Sequence, residues 1–176
     1  MKTLIVIDYQ NDFVTGVLGT PEAASILTNV KAKIDEYLRN GDEVIFTRDT
    51  HTNDYLDTSE GKQLPIPHCI IGTDGWNVVE SVDNTDCEHI NKHSFGYADW
   101  ELVCHDGGYY DRNFDEIEII GVCTDICVVS NALLLKAFYP DVPITVDASC
   151  CAGVTPETHR AALTVMKSCQ INVIGE

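Results

Sequence analysis

The chain has 176 residues, 44% hydrophobic and 22% charged, with 11 basic against 28 acidic side chains and a formal net charge of −17. That length suits one domain spanning 1–176 with a full core, and the acidic balance excludes the basic patches that nucleic acid and anionic membrane surfaces require. No apolar run reaches the length of a bilayer span, and only Leu4-Ile5-Val6-Ile7 precedes Asp8, too little for a signal peptide, so a cytoplasmic protein is expected.

Thr3 to Ile7 is a continuous apolar, β-branched run, the pattern of a strand buried on both faces. It ends at Asp8, and open α/β sheets place their sites at the carboxyl ends of such strands. A plainer role for Asp8 is to cap the next turn. Gly16, Gly19 and Pro21 mark a loop, and Thr20-Pro21-Glu22 opens a helix as N-cap, first-turn proline and early acid. That helix is expected to reach Asn40, with Ile26, Val30, Ile34 and Leu38 on its inner side, and Asn40-Gly41 stops it. A second strand covers Glu43 to Arg48 and runs into Asp49-Thr50-His51. Residues 52–75 carry turn residues without sustained periodicity, and so long a loop in a compact domain is usually functional. It holds Glu60 and Pro65-Ile66-Pro67-His68-Cys69.

A short helix is expected over 76–82, a strand over 88–92 ending at Lys92, and a helix over 98–105 broken by Gly107-Gly108. Residues 115–120 read as a strand. Gly121 to Val128 make a turn with Cys127 in the first turn of the next helix, capped by Thr124 or Asp125, and that helix continues through 129–138. A strand over 142–146, an amphipathic helix opened by Thr155-Pro156-Glu157 with Ala161, Leu163, Val165 and Met166 inward, and a strand over 171–174 complete the chain. Strands alternating with helices give a three-layer α/β/α sandwich around a six-stranded parallel sheet.

In such a sheet Asp8, Asp49 with His51, Lys92 and, one turn on, Cys127 all reach the same edge. A nucleophilic thiol needs a base to take its proton and a cation to hold the thiolate. Asp8 and Lys92 supply these. The alternative is a buried Asp–Lys pair beside an inert cysteine, but desolvation leaves such pairs little net value for stability. Asp49, His51 and His68, with Glu60 as an additional ligand, form a normal set for zinc or a neighbouring divalent ion; the Asp-x-His spacing alone also fits a surface turn. Phe13, Trp76, Phe95 and Tyr97 lie near the strand ends and fit either the wall of a flat apolar pocket or ordinary packing. The other seven cysteines, Cys69, Cys87, Cys104, Cys123, Cys150, Cys151 and Cys169, form no paired CxxC and read as reduced packing or surface residues. His89, His93, His105 and His159 show no comparable grouping.

Taken together, Ile7-Asp8-Tyr9-Gln10-Asn11-Asp12-Phe13, Thr47-Arg48-Asp49-Thr50-His51, Pro67-His68-Cys69, Lys92 and Gly121-Val122-Cys123-Thr124-Asp125-Ile126-Cys127-Val128 resemble the isochorismatase-like cysteine hydrolases. Within that family the resemblance is greatest to nicotinamidases. It implies Asp8, Lys92 and Cys127 as catalytic triad, a cis Val122–Cys123 peptide, and an oxyanion hole from the amides of Cys123 and Cys127. It also implies Asp49, His51 and His68 as ligands of a divalent metal, most simply zinc, with iron or manganese as alternatives. Glu60 stands where some members add an acid. Phe13, Phe95 and Tyr97 are expected at the pocket. A small-molecule amide substrate and homo-oligomeric assembly are further expectations. Two positions depart from the family pattern: Leu64-Pro65-Ile66-Pro67 replaces a segment that often carries tryptophan, and position 123 is cysteine where a smaller residue is usual.

Overall fold

A computed structural model describes residues 2–103 and 114–176. Cys104, His105, Gly107-Gly108 and the end of the helix expected over 98–105 lie outside them. Six strands form one parallel sheet: β1 (Lys2–Ile7), β2 (Glu43–Asp49), β3 (Glu88–Lys92), β4 (Glu116–Val122), β5 (Ile144–Ala152) and β6 (Asn172–Ile174). Their order is β3-β2-β1-β4-β5-β6. The chain builds outward from β1 in one direction, then returns to its other side, so the order reverses between β1 and β4. A crevice opens at such a reversal, outside the carboxyl ends of the strands.

The helices are α1 (Asn11–Val14), α2 (Pro21–Ser25), α3 (Leu27–Asn40), α4 (Ser59–Gln63), α5 (Trp100–Val103), α6 (Val129–Phe138) and α7 (Pro156–Ser168). Side-chain alternation along the strands sorts the core into two layers. Leu4, Val6, Val44 and Phe46 meet Val30, Ile34 and Tyr37 of α3 on one face. Ile5, Ile7, Ile117 and Ile119 meet Leu135 of α6 and Leu163 and Met166 of α7 on the other. No helix among the described residues is long and apolar enough to cross a membrane.

Four local expectations are corrected. The helix expected from Pro21 to Asn40 is two, because Ile26, at φ −84° and ψ −3°, departs from helical geometry between α2 and α3. Thr20 does cap the first, accepting the Ala23 N–H, and Gly41, at φ +74°, closes the second in the left-handed conformation that glycine adopts without steric cost. The helix expected over 76–82 is replaced by a short 3-10 turn at Asp74–Trp76 and an extended Val78 paired antiparallel with Gln10. Tertiary pairing of a β-branched residue overrides a weak helical pattern there. In α7 the inner face is Ala162, Leu163 and Met166, while Ala161 and Val165 are exposed. Neither Thr124 nor Asp125 caps the helix after β4; the Thr124–Val128 turn starts from Cys123 instead.

Gly121 in β4 has φ +119°, and a Cβ there would lie 2.1 Å from the Ile7 carbonyl oxygen. Only glycine lets β4 approach β1 so closely where the two strands deliver the site.

Candidate active site

Asp8 leaves β1 fully buried at φ +46°, a left-handed conformation disfavoured for a non-glycine residue. The surroundings over-determine it: its N–H donates to Thr47 Oγ1 at 3.2 Å and its Oδ1 accepts from the same hydroxyl at 2.7 Å. Such local strain, held by neighbours, gathers at functional sites. Lys92, the last residue of β3, reaches across β2. Its Nζ lies 2.6 Å from Asp8 Oδ2, 3.6 Å from Cys127 Sγ and 3.5 Å from Asp49 Oδ1, and donates to the Ser94 carbonyl at 3.1 Å.

Cys127 follows β4 in a turn widened to i→i+5, where Cys123 O accepts N–H bonds from Ile126 and Val128. The Val122–Cys123 peptide is cis. Asn131, one turn further along, donates to the Cys127 carbonyl at 2.8 Å. The structure thus brings Asp8, Lys92 and Cys127 together from β1, β3 and the turn after β4.

The electrostatics follow from burial. Removal from water pushes the Asp8 carboxyl above its ordinary range; Lys92 opposes that shift and Asp49 adds to it. Burial likewise pushes the Cys127 thiol well up, Asp8 adds to the rise and Lys92 counters it. For Lys92 burial acts downward, yet Asp8, Cys127 and Asp49 outweigh it and hold the ammonium charged. One fixed cation therefore faces two groups that compete for a proton.

Beside this cluster, Asp49, His51, Glu60 and His68 present one ligand atom each, all within 4.8 Å of one another. His51 Nε2 and His68 Nε2 lie 3.0 and 3.5 Å from Asp49 Oδ2, and 3.7 and 3.6 Å from Glu60 Oε1. Ligand atoms at about 2.1 Å from a tetrahedral ion lie roughly 3.4 Å from each other, so these residues fit a first-row divalent cation. Charge agrees, since the Asp49 and Glu60 carboxylates together match a divalent cation. His68 Nδ1 bonds the Ile66 carbonyl at 2.8 Å, which makes Nδ1 the donor and leaves an Nε2 lone pair facing the cluster. Burial raises the Asp49 carboxyl, but bonds from His51 and His68 and the charge of Lys92 outweigh it and hold it well below the usual range.

A cavity of about 630 Å³ lies over both clusters, with Cys123 and Cys127 on one side and Asp49, Glu60 and His68 on another. Phe13 and Phe95 line it. Tyr97 does not: its ring packs edge-on against Trp100, and its N–H donates to Asn131. Trp76 is likewise engaged elsewhere, donating to Thr50 and stacked under the Arg48 guanidinium at 4.0 Å. The expectation for these two rings followed sequence distance from the strand ends, which says nothing about which way a ring turns. His93, read as an ordinary polar residue, lines the cavity with Nδ1 bonded to Thr50 O. His159, which has no grouping in sequence, bonds Thr124 Oγ1 at 2.8 Å and so holds the turn that carries Cys127. The seven cysteines among the described residues are unpaired.

Residues 2–175 match the Isochorismatase domain family. The nicotinamidase/pyrazinamidase of Mycobacterium tuberculosis is 27% identical over 196 residues, covering 99% of this chain and 98% of that protein. The crystal structure of nicotinamidase/pyrazinamidase PncA from Bacillus subtilis superposes with a TM-score of 0.83 at 29% identity, covering 98% of this chain and 99% of that one. The pyrazinamidase of Pyrococcus horikoshii, solved in complex with zinc, gives a TM-score of 0.81 at 25% identity over 99% of both chains. With the motifs, the sheet order and these likenesses in agreement, the chain belongs to the isochorismatase domain family.

Proposed function

We propose that the chain is a cysteine amidohydrolase of the nicotinamidase type, which converts a small heteroaromatic carboxamide and water to the carboxylate and ammonia. The observation that carries this reading is the shared cavity: Cys127, backed by buried Asp8 and Lys92, lines the same space as Asp49, Glu60 and His68 of the ligand cluster. The curated relatives named nicotinamidase support the substrate class.

Asp8 takes the Cys127 proton, and Lys92 holds the resulting thiolate. The sulfur attacks the amide carbon, and the developing oxyanion is held by the N–H groups of Cys123 and Cys127. Asp8 then returns the proton to the amide nitrogen, the C–N bond breaks, and ammonia leaves a thioester on Cys127. Water, deprotonated by Asp8, attacks the thioester carbon and releases the acid and the sulfur. Lys92, anchored on Asp8 and Asp49, stays charged throughout and compensates the Asp8 carboxylate before proton transfer and the thiolate after it. Asp49, His51, His68 and Glu60 would hold a divalent ion, most simply zinc, which when bound supplies a Lewis-acid anchor for a ring nitrogen or a water beside it.

The ligand cluster favours this reading over a relative acting on a ureide or vinyl ether without metal. Ammonia release from nicotinamide, an acyclic primary amide and a ureide, each with and without chelator, is the test. Nicotinamide turnover that is lost on chelation is the expected result. Turnover of the ureide alone, or amide hydrolysis indifferent to chelation, would overturn it.

A further inference from the structure

The loop after β1 contains a fully buried glutamine, Gln10, that the reaction above does not use. It stands at the N-cap position of α1, yet its side chain makes no capping bond there. The carboxamide turns toward β2 instead. Oε1 accepts the Asp49 N–H at 2.8 Å, and Nε2 donates to the Asp49 carbonyl at 2.9 Å and to the Trp76 carbonyl at 2.8 Å.

The strand register explains why the place is available. β1 pairs with β2 only as far as Val6 with Phe46, while β3 continues beside β2 to pair Lys92 with Asp49. A strand residue points its N–H and carbonyl to the same neighbour, and for Asp49 the β1 side holds no strand. The Gln10 carboxamide, carrying one donor group and one acceptor as a peptide does, fills that side. Its own backbone is pinned by pairing with Val78, by Asn11 N–H on Asn77 O, and by Val79 N–H on Tyr9 O.

What is held in this way matters to both clusters. Asp49 Oδ1 faces Lys92 Nζ at 3.5 Å, while Oδ2 faces His51 Nε2 at 3.0 Å and His68 Nε2 at 3.5 Å. It is the one carboxylate common to the nucleophile's cation and the ligand set. We propose that Gln10 is the positioning residue for Asp49, its carboxamide standing in for a missing strand so that the two carboxylate oxygens address Lys92 and the imidazoles at once.

The test uses two near-isosteric variants. Gln10→Glu keeps an acceptor for the Asp49 N–H but sets oxygen against two carbonyls, and Gln10→Met removes every bond while keeping volume. Tyr37→Phe, which removes a bond to Glu118 on the α3 face, controls for a general loss of stability. Binding of Zn²⁺ is measured by competition with a chromophoric chelator, and iodoacetamide labelling of Cys127 is followed in metal-free protein. Both Gln10 variants should bind Zn²⁺ roughly ten- to a hundredfold more weakly, the usual cost of losing a residue that orients a ligand. Their Cys127 labelling rate should also differ severalfold from wild type, while Tyr37→Phe should change neither. Zn²⁺ affinity and labelling both within a factor of about two of wild type would overturn the proposal, since a true orienting residue costs more. So would failure of both Gln10 variants to fold, which would assign Gln10 to the fold. The metal arm rests on the ligand cluster being a metal site. Wild type that takes up no Zn²⁺ overturns that reading, and the metal-free labelling then decides Gln10 by itself.

Discussion

Replacing Lys92 by methionine keeps its length and removes its charge. The ammonium lies 3.6 Å from the Cys127 sulfur. At an effective dielectric constant of about 20, a full charge at that distance stabilises the thiolate by about 4–5 kcal/mol. Not all of this appears on substitution. Asp8 sits 2.6 Å from the same ammonium, and burial already pushes its carboxyl upward, so without Lys92 it takes up a proton. That removes the carboxylate's repulsion of the thiolate and offsets part of the loss. With about half offset, roughly 2 kcal/mol remains, or a thirtyfold smaller thiolate fraction at a given pH. Turnover should fall further, by about a hundredfold or more, because the protonated Asp8 no longer serves as base. Iodoacetamide labelling of Cys127 against pH, read by peptide mass, isolates the thiol from the other cysteines. In Lys92→Met the labelling curve should move to higher pH. Coincident curves for wild type and variant would refute the electrostatic role of Lys92.

Cys127→Ala should abolish ammonia release and leave the melting temperature near wild type, whereas Cys123→Ala, which keeps the backbone N–H, should retain most activity; equal loss in the two would misplace the nucleophile. His51→Ala should reduce bound divalent metal from about one ion per chain to a trace, read by elemental analysis, since three ligands on a shared cluster hold an ion far less well. Cys127 should still be labelled in that variant. Alkaline stability should fall because burial raises the thiols of Cys69, Cys127 and Cys151. Raised folded values mean that this contribution is complete below the unfolded thiol value of about 8.5. It then declines by about 1.4 kcal/mol per pH unit for each thiol until the folded value is reached. Urea melts at rising pH should show this decline, with a shallower slope in Cys151→Ala; equal slopes would show that Cys151 ionises alike in both states.

Much of the framework was legible because its signals are local. The β-branched run before Asp8 has the composition of a strand covered on both sides, and Thr20, Pro21 and Gly41 occupy helix ends that need those residues. The clustering of Asp8, Lys92 and Cys127 was legible for a different reason: parallel strands deliver their carboxyl ends to one edge, whatever lies between. Side-chain orientation was not legible. Tyr97 and Trp76 turn away from the cavity because Trp100, Asn131, Thr50 and Arg48 hold them elsewhere, and none of those pairings has a sequence signature. Gln10 was visible as part of a motif, but its service to Asp49 depends on β1–β2 pairing ending at Val6 with Phe46, three residues before Asp49. The wide turn at Thr124–Val128 looks in sequence like an ordinary capped helix start, since nothing in its composition distinguishes five-residue from four-residue closure.

The missing side chain at Gly121 has a consequence for how the chain divides. Asp8, Asp49, His51, Glu60, His68 and Lys92 all belong to the β1–β3 half, and the sulfur with its turn belongs to the β4–β6 half. Within the sheet the two halves meet where β1 lies against β4, and Gly121 opposite Ile7 sets the width of that seam just before the turn that carries the sulfur. A methyl group there, 2.1 Å from a backbone oxygen, has nowhere to go but between the halves. Each half would keep its own internal bonds while the sulfur drew back from the ammonium. The spacing on which the chemistry depends is thus fixed by an atom that is not there.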